Sequence, residues 1–306
     1  MNRFEFSTVN FLVLSIPVLL ISGPFLADAA LSISCILFLI YIVRTRQFIL
    51  FKDNFFIIFL LFYALIMISC FQSDYLEKIF FKNIFFIKFG IFLLLVKYII
   101  NKNEKFINNL KKVLMLTFII LLIDSLIQFT FGKNIFGFSH PPGRITSFFG
   151  DESVLGSYVV RLSPLLIALI CLTKGKFYET MLIISLCFII SFVSGERAAI
   201  FLLLLFTSIL FLIWRYDFKK KLIFFSIALL FILTTFIAII KTSEKAKFRL
   251  IDQTLSQINF NYKNNEPFFK SVKVDDKRFI LERNDTFLPL KYALYFKKSK
   301  KIFLDN

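Results

Sequence analysis

Asn54–Phe71 reads NFFIIFLLFYALIMISCF, an apolar run with no charged side chain and no proline. Its length matches the ~20 residues that carry a helix across ~30 Å of hydrocarbon. Comparable runs recur at Val9–Ile21, Phe25–Val43, Asn83–Ile100, Val113–Phe131, Val154–Thr173, Tyr178–Val193, Ala198–Trp214 and Leu222–Ile240. The apolar residues come in long runs, not at the helical or strand periods of a soluble domain. Composition agrees: 58% of the 306 residues are hydrophobic, 45 are Phe, and the mean hydropathy is +0.77. Soluble domains average close to half apolar. The expected fold is all-α, a multi-pass transmembrane bundle of about nine spans. It occupies residues 1–240 and is followed by a polar segment, 241–306. Gly23-Pro24 separates the first two spans and predicts a tight hairpin.

The net charge is +17, from 37 Lys+Arg against 20 Asp+Glu. In a membrane protein such charge holds helix ends at anionic headgroups, so nucleic acid is set aside as a partner in favour of membrane lipids. Orientation follows from the basic residues of the short loops. With the N-terminus cytoplasmic, the inner segments hold Arg3; Arg44, Arg46 and Lys52; Lys102, Lys105, Lys111 and Lys112; Lys174 and Lys176; and Arg215 with Lys219–Lys221. The short outer loops hold only Lys78, Lys82, Lys133, Arg144 and Arg197. The polar segment after the last span then lies outside, either as a flap beside an anionic substrate or as a loosely ordered tail. Cys35, Cys70, Cys171 and Cys187 each lie within an apolar run and form no CxxC pair, which predicts buried thiols and no metal site. No small-residue cleavage site follows the first span, so it is read as retained.

Ionisable side chains at membrane depth each cost a few kcal/mol, so they carry information. Lys88, Asp124 and Arg161 fall in the outer half of their spans, and Arg197 lies at a rim. The least costly arrangement buries them in the bundle, paired or facing water. An Asp124–Arg161 or Asp124–Lys88 ion pair is the structural expectation, with Gln128 one turn beyond Asp124 on the same side. Pro164 cannot donate to the carbonyl of Val160, which predicts a kink and a lined cavity beside Arg161.

Gly143–Pro164, GRITSFFGDESVLGSYVVRLSP, leads from an outer loop into the sixth span. Gly150-Asp151-Glu152-Ser153 reads as a helix N-cap with acidic residues in the first turn. Asp151 and Glu152 also fit a second role, accepting a hydroxyl proton or bracing Arg144. Ser194-Gly195-Glu196-Arg197 is the turn between the seventh and eighth spans, and Ser194 is placed to cap the eighth. A cation at a helix N-terminus opposes the dipole, so Arg197 points to a shared anion site as readily as to a contact with Glu196 or a headgroup. His140 is the only histidine, and it lies in the same outer loop.

GRITSFFGDESVLGSY, the apolar span holding Arg161, and SGERAAI opening a later span together resemble the bacterial O-antigen ligase/polymerase family over roughly Ile135–Phe201. The terminal YFKKSKKIFLDN resembles the helix that precedes that family's Gly-rich turn. The resemblance implies a glycosyltransferase of the bacterial inner membrane, using neither metal nor cofactor. It takes glycan from undecaprenyl diphosphate at the periplasmic face. The acceptor is a second lipid-linked repeat or the lipid A core. By position, Arg197 matches the family's SGxR arginine, Arg144 the arginine before TSFFGD, and Arg161 an intramembrane arginine of some members. Arg197 and Arg161 are the expected catalytic residues. Arg144, Asp151, Glu152, Ser153 and Glu196 are the expected diphosphate- and glycan-binding residues. Without a metal, guanidinium groups must stabilise the charge that grows on the leaving diphosphate. The family's loop histidine falls beyond the point where this sequence stops, so a C-terminally truncated member is expected. Two other readings are a flippase for the same lipid-linked glycan and an inactive remnant. The flippase class favours paired halves and broken helices, and neither a repeat nor such symmetry is visible here.

Overall fold

The computed structural model describes residues 3–70, 79–80, 83–139, 144–175, 177–213, 218–242, 250–251, 270–275 and 278–282. The chain divides into two units, Met1–Asp252 and Gln253–Asn306. The first is helical in its described residues: α1 (Arg3–Leu19), α2 (Pro24–Thr45), α3 (Asn54–Cys70), α4 (Ile87–Lys102), α5 (Phe106–Phe131), α6 (Leu155–Leu172), α7 (Phe177–Ser194), α8 (Arg197–Ile213) and α9 (Phe218–Thr242). In the second unit an antiparallel hairpin joins β1 (Lys270–Asp275) to β2 (Arg278–Glu282).

Each apolar run of the sequence became a helix, because hydrocarbon leaves backbone polar groups no partner but one another. Among the described residues, four helices are long and apolar enough to cross a membrane: Arg3–Ser22, Pro24–Thr45, Phe106–Phe131 and Leu155–Leu172. Shorter apolar helical stretches cover Asn54–Cys70, Tyr178–Ser194, Arg197–Ile213 and Leu233–Thr242. The apolar surface faces outward as well as inward. Phe55, Ile58 and Leu61 of α3 are 65%, 62% and 65% exposed, the pattern of a lipid-facing helix.

The α1–α2 hairpin forms as expected, with Gly23 at φ 119 and Pro24 as the first residue of α2. One core joins α1, α2, α3 and α4 around Val9, Phe38, Ile42, Leu95 and Ile99. Here α4 crosses α3 closely at Gly90, where an added Cβ would lie 2.3 Å from the Phe59 ring. The second core centres on α7, which packs against α5, α6, α8 and α9. Ile183, Cys187, Phe188 and Ile190 of α7 are fully buried there. Between the two cores, α1 packs on α5, and the Tyr158 hydroxyl of α6 donates to the Pro17 carbonyl of α1 at 2.5 Å.

Pro164 does not interrupt α6. α6 runs unbroken from Leu155 to Leu172, and the Ser163 hydroxyl donates to the Val160 carbonyl at 3.0 Å. That is the acceptor the proline leaves bare, so a neighbouring side chain repairs the helix. The expected ion pairs of Asp124 are also absent. Lys88 pairs with Asp28 of α2 instead, tying α4 to α2. Asp124 turns to a loop, with consequences described below.

Candidate site at the arginine-bearing end

The end of the first unit where α5 stops and α6 and α8 begin carries the expected site residues. Gly132 terminates α5 in the left-handed region, at φ 78. The chain then folds back over the helix end, and three buried side chains hold it. The Asp124 carboxylate accepts from the Ile135 N–H at 2.9 Å and from the Ser147 hydroxyl. The Gln128 carbonyl oxygen accepts the N–H groups of Thr146 at 3.0 Å and Ser147 at 2.7 Å, and its amide donates to the Phe138 carbonyl at 3.2 Å. The Asn134 amide donates to the Ser147 carbonyl at 3.1 Å. The Asp124–Gln128 pair is therefore an anchor for the loop that follows α5.

Ser147 is the centre of this lattice. It is fully buried and sits at φ 53, a left-handed backbone that costs a non-glycine residue about 1–2 kcal/mol. Its N–H, carbonyl and hydroxyl are all bonded, which holds it there. The loop that carries Arg144 is thus pre-formed. Arg144 itself is half-buried, and its Nε is shielded from solvent with no hydrogen-bond partner among the described residues. The hydroxyl of Thr146, two residues on, is also buried and unpartnered.

Helix α6 is capped differently from the sequence expectation. It begins at Leu155 with no acidic residue in its first turn, and Val154 at the cap position makes no side-chain bond. Asp151 and Glu152 are exposed, and Ser153 is half-buried. The cap comes from another part of the chain. The Glu196 carboxylate accepts from the Gly156 N–H at 2.9 Å, the Ser157 N–H at 3.0 Å and the Ser157 hydroxyl at 2.6 Å. A buried carboxylate there satisfies two orphan donors and meets the positive end of the dipole. Gly156 makes the contact possible, since an added Cβ would lie 2.7 Å from the Ser194 hydroxyl and 3.1 Å from the Glu196 Cβ. Ser194 plays part of its expected role, its hydroxyl accepting the Glu196 N–H at 3.3 Å.

The Glu196 clamp brings the first turn of α6 against the first turn of α8, which opens with half-buried Arg197. Arg161 lies one turn below Ser157 on the same face of α6, about 9 Å along the axis from Leu155. It is exposed, on a stripe with Leu165, Ala168 and Leu172. The inward side of α6 is filled by Leu155, Val159, Leu166 and Ile170, so Arg161 is excluded from the bundle interior where the sequence placed it. Arg144, Arg161 and Arg197 thus share one end of the helices. Cavities of about 380 and 330 Å³ lie elsewhere, beside Ser69, Cys70 and Asn83 and beside Lys52 and Lys97. His140 and Pro141–Gly143 fall outside the described residues.

No family model, curated protein or solved structure matches the chain. Among the described residues no three His, Cys, Asp or Glu side chains gather as a metal-binding group. The sequence missed Glu196 as the cap because its partners lie about forty positions away. The Gly150–Ser153 turn offered a cap in its place, but the residue at the cap position is Val154, which has no side-chain acceptor.

Proposed function

We propose that the chain is the membrane core of a glycosyltransferase. It transfers or polymerises glycan repeats carried on undecaprenyl diphosphate, at the face bearing Arg144 and Arg197. In this reading the helices form about nine spans, four of them full-length and the others shortened or tilted. The N-terminus is cytoplasmic and the arginine-bearing end periplasmic, as the lysine and arginine bias of the loops requires.

The observation that carries the reading is the buried, unpartnered Nε of Arg144 on a loop held rigidly at the same end as Arg197. A guanidinium donor withdrawn from water without an acceptor is costly, and an anionic ligand would satisfy it. Arg197 adds a guanidinium fork at the N-terminus of α8, where backbone N–H groups also face an anion. Arg161 extends the cationic surface down the exposed stripe of α6. A substrate with a polyprenyl tail enters sideways from the bilayer, so an arginine on an exposed face suits its diphosphate.

The chemistry requires the sugar C1–O bond to break while an acceptor hydroxyl attacks. Negative charge grows on the departing diphosphate, and fixed guanidinium groups stabilise it without rearranging. Glu196 is occupied by α6 and acts as the brace that sets Arg197. Asp151 and Glu152, which cap nothing, are the carboxylates available at the lip to bind glycan hydroxyls or accept the acceptor proton. The test is genetic. Deleting the gene should abolish polymer or ligated glycan and leave single lipid-linked repeats accumulating at the periplasmic leaflet. Accumulation at the cytoplasmic leaflet would point to a flippase and overturn the proposal.

A further inference from the structure

The cavity of about 330 Å³ lies at the opposite end of the helices from Arg144, between the short 3-10 helix Phe48–Lys52 and the end of α4. Ile49, Leu50, Lys52 and Asp53 line it from the connection into α3, and Leu94, Lys97, Tyr98 and Asn101 line it from one face of α4. Lys97 is fixed in place: its Nζ donates to the Asp53 carboxylate and lies 5.7 Å from the centre of the Phe55 ring. The Lys97 ammonium holds the Asp53 carboxyl below the usual carboxylate range. Its remaining ammonium protons are available. Arg44, nearby in sequence, is bonded to Glu5 at 3.3 Å, whereas Lys52 has no carboxylate partner among the described residues. Two lysines against one aspartate leave the lining with one net positive charge. Ile49 of the lining and Phe48 beside it in the chain are 74% and 53% exposed.

A cavity at a helix end, lined by a lysine and apolar side chains from each of two elements, fits a single class of molecule. Lysine stems lie along apolar surface while their heads meet phosphate, and basic recesses between spans collect acidic headgroups. We infer that this cavity seats the headgroup of an anionic phospholipid, its phosphate at Lys52 and Lys97, its headgroup hydroxyls at Asn101 and its acyl chains along Ile49 and Phe48. The single negative charge of a phosphodiester matches the net charge of the lining. The inference is independent of the glycan reading, since it concerns the other end of the molecule.

The test is calorimetric titration of the purified full chain, in a neutral detergent, with dihexanoyl phosphatidylglycerol and with dihexanoyl phosphatidylcholine. The glycerol lipid should bind at one equivalent, and the choline lipid at least several-fold more weakly. Lys52→Ala should weaken the glycerol lipid about fivefold, and Lys52→Arg should restore it. Lys112→Ala, an exposed lysine of the same face, should leave affinity unchanged. Equal binding of the two lipids, an unaltered Lys52→Ala, or an equal loss in Lys112→Ala would overturn the inference. Helical circular dichroism of each variant confirms that the fold persists.

Discussion

Glu196→Ala should be among the most destabilising substitutions at the arginine-bearing end. The Glu196 side chain accepts three hydrogen bonds, two from the backbone of Gly156 and Ser157 at 2.9 and 3.0 Å and one from the Ser157 hydroxyl at 2.6 Å. Gly156 is buried, so alanine at 196 leaves at least one backbone donor bare in a site from which water is excluded. Each stranded donor costs about 1–2 kcal/mol, and loss of the charge at the dipole adds about 0.5–1. The expected cost is about 3 kcal/mol. Glu196→Gln keeps one acceptor oxygen and should cost roughly half as much. Asp151→Asn and Glu152→Gln touch exposed groups and should fall within about 0.5 kcal/mol of wild type. Thermal unfolding in detergent, followed by helical circular dichroism, reads the ranking as a drop of about 6–12 °C for Glu196→Ala. An Asp151→Asn chain that loses as much as Glu196→Ala would refute capping from the α7–α8 turn.

Three further outcomes follow from the packing. Gly156→Ala should cost about 1–3 kcal/mol by overpacking, because its Cβ would meet Ser194, Ala199 and Glu196 within 3.1 Å; unchanged thermal stability would contradict that contact. Asp124→Ala should cost about 2–4 kcal/mol, since it strands the Ile135 N–H and the Ser147 hydroxyl, with Asp124→Asn milder; protease cutting between Lys133 and Ser147 should rise in step. Because Lys97 lowers the Asp53 carboxyl from its ordinary 3.8, their bond stabilises the fold above that pH and is lost as pH falls through the lowered value. The stability gap between wild type and Lys97→Met should therefore be full at neutral pH and close in strong acid; a gap constant across that range would exclude the bond as its source.

The helices were legible because apolar runs long enough to cross a bilayer have few other ways to satisfy their backbone. Gly23-Pro24 placed the first hairpin for an equally local reason. Asp124 and Gln128 were readable as a pair from their spacing, but their partners were not. The loop residues they hold, Ile135 and Thr146–Ser147, contribute mainly backbone groups that leave no trace in composition. Asp28 was passed over in an alanine-rich stretch, although an acidic residue one turn into a span marks a partner elsewhere, here Lys88. What meets the Val160 carbonyl that Pro164 leaves bare was not readable, because the bond from Ser163 depends on a rotamer. Arg161 misled because burial was assumed for any charge at depth, whereas it stands on an exposed stripe of α6.

The central claim is that Arg144, Arg161 and Arg197 serve a lipid-linked diphosphate. It is tested most directly by incubating the purified chain in bilayer discs with an undecaprenyl-diphosphate-linked glycan and an acceptor. Arg197→Lys is the matched control, because lysine keeps the charge and loses the two-pronged donor geometry. The account predicts glycan transfer by the wild-type chain and a loss of at least tenfold in Arg197→Lys, with Glu152→Lys also impaired. Transfer at the wild-type rate by Arg197→Lys, or by a chain with all three arginines replaced by lysine, would contradict it.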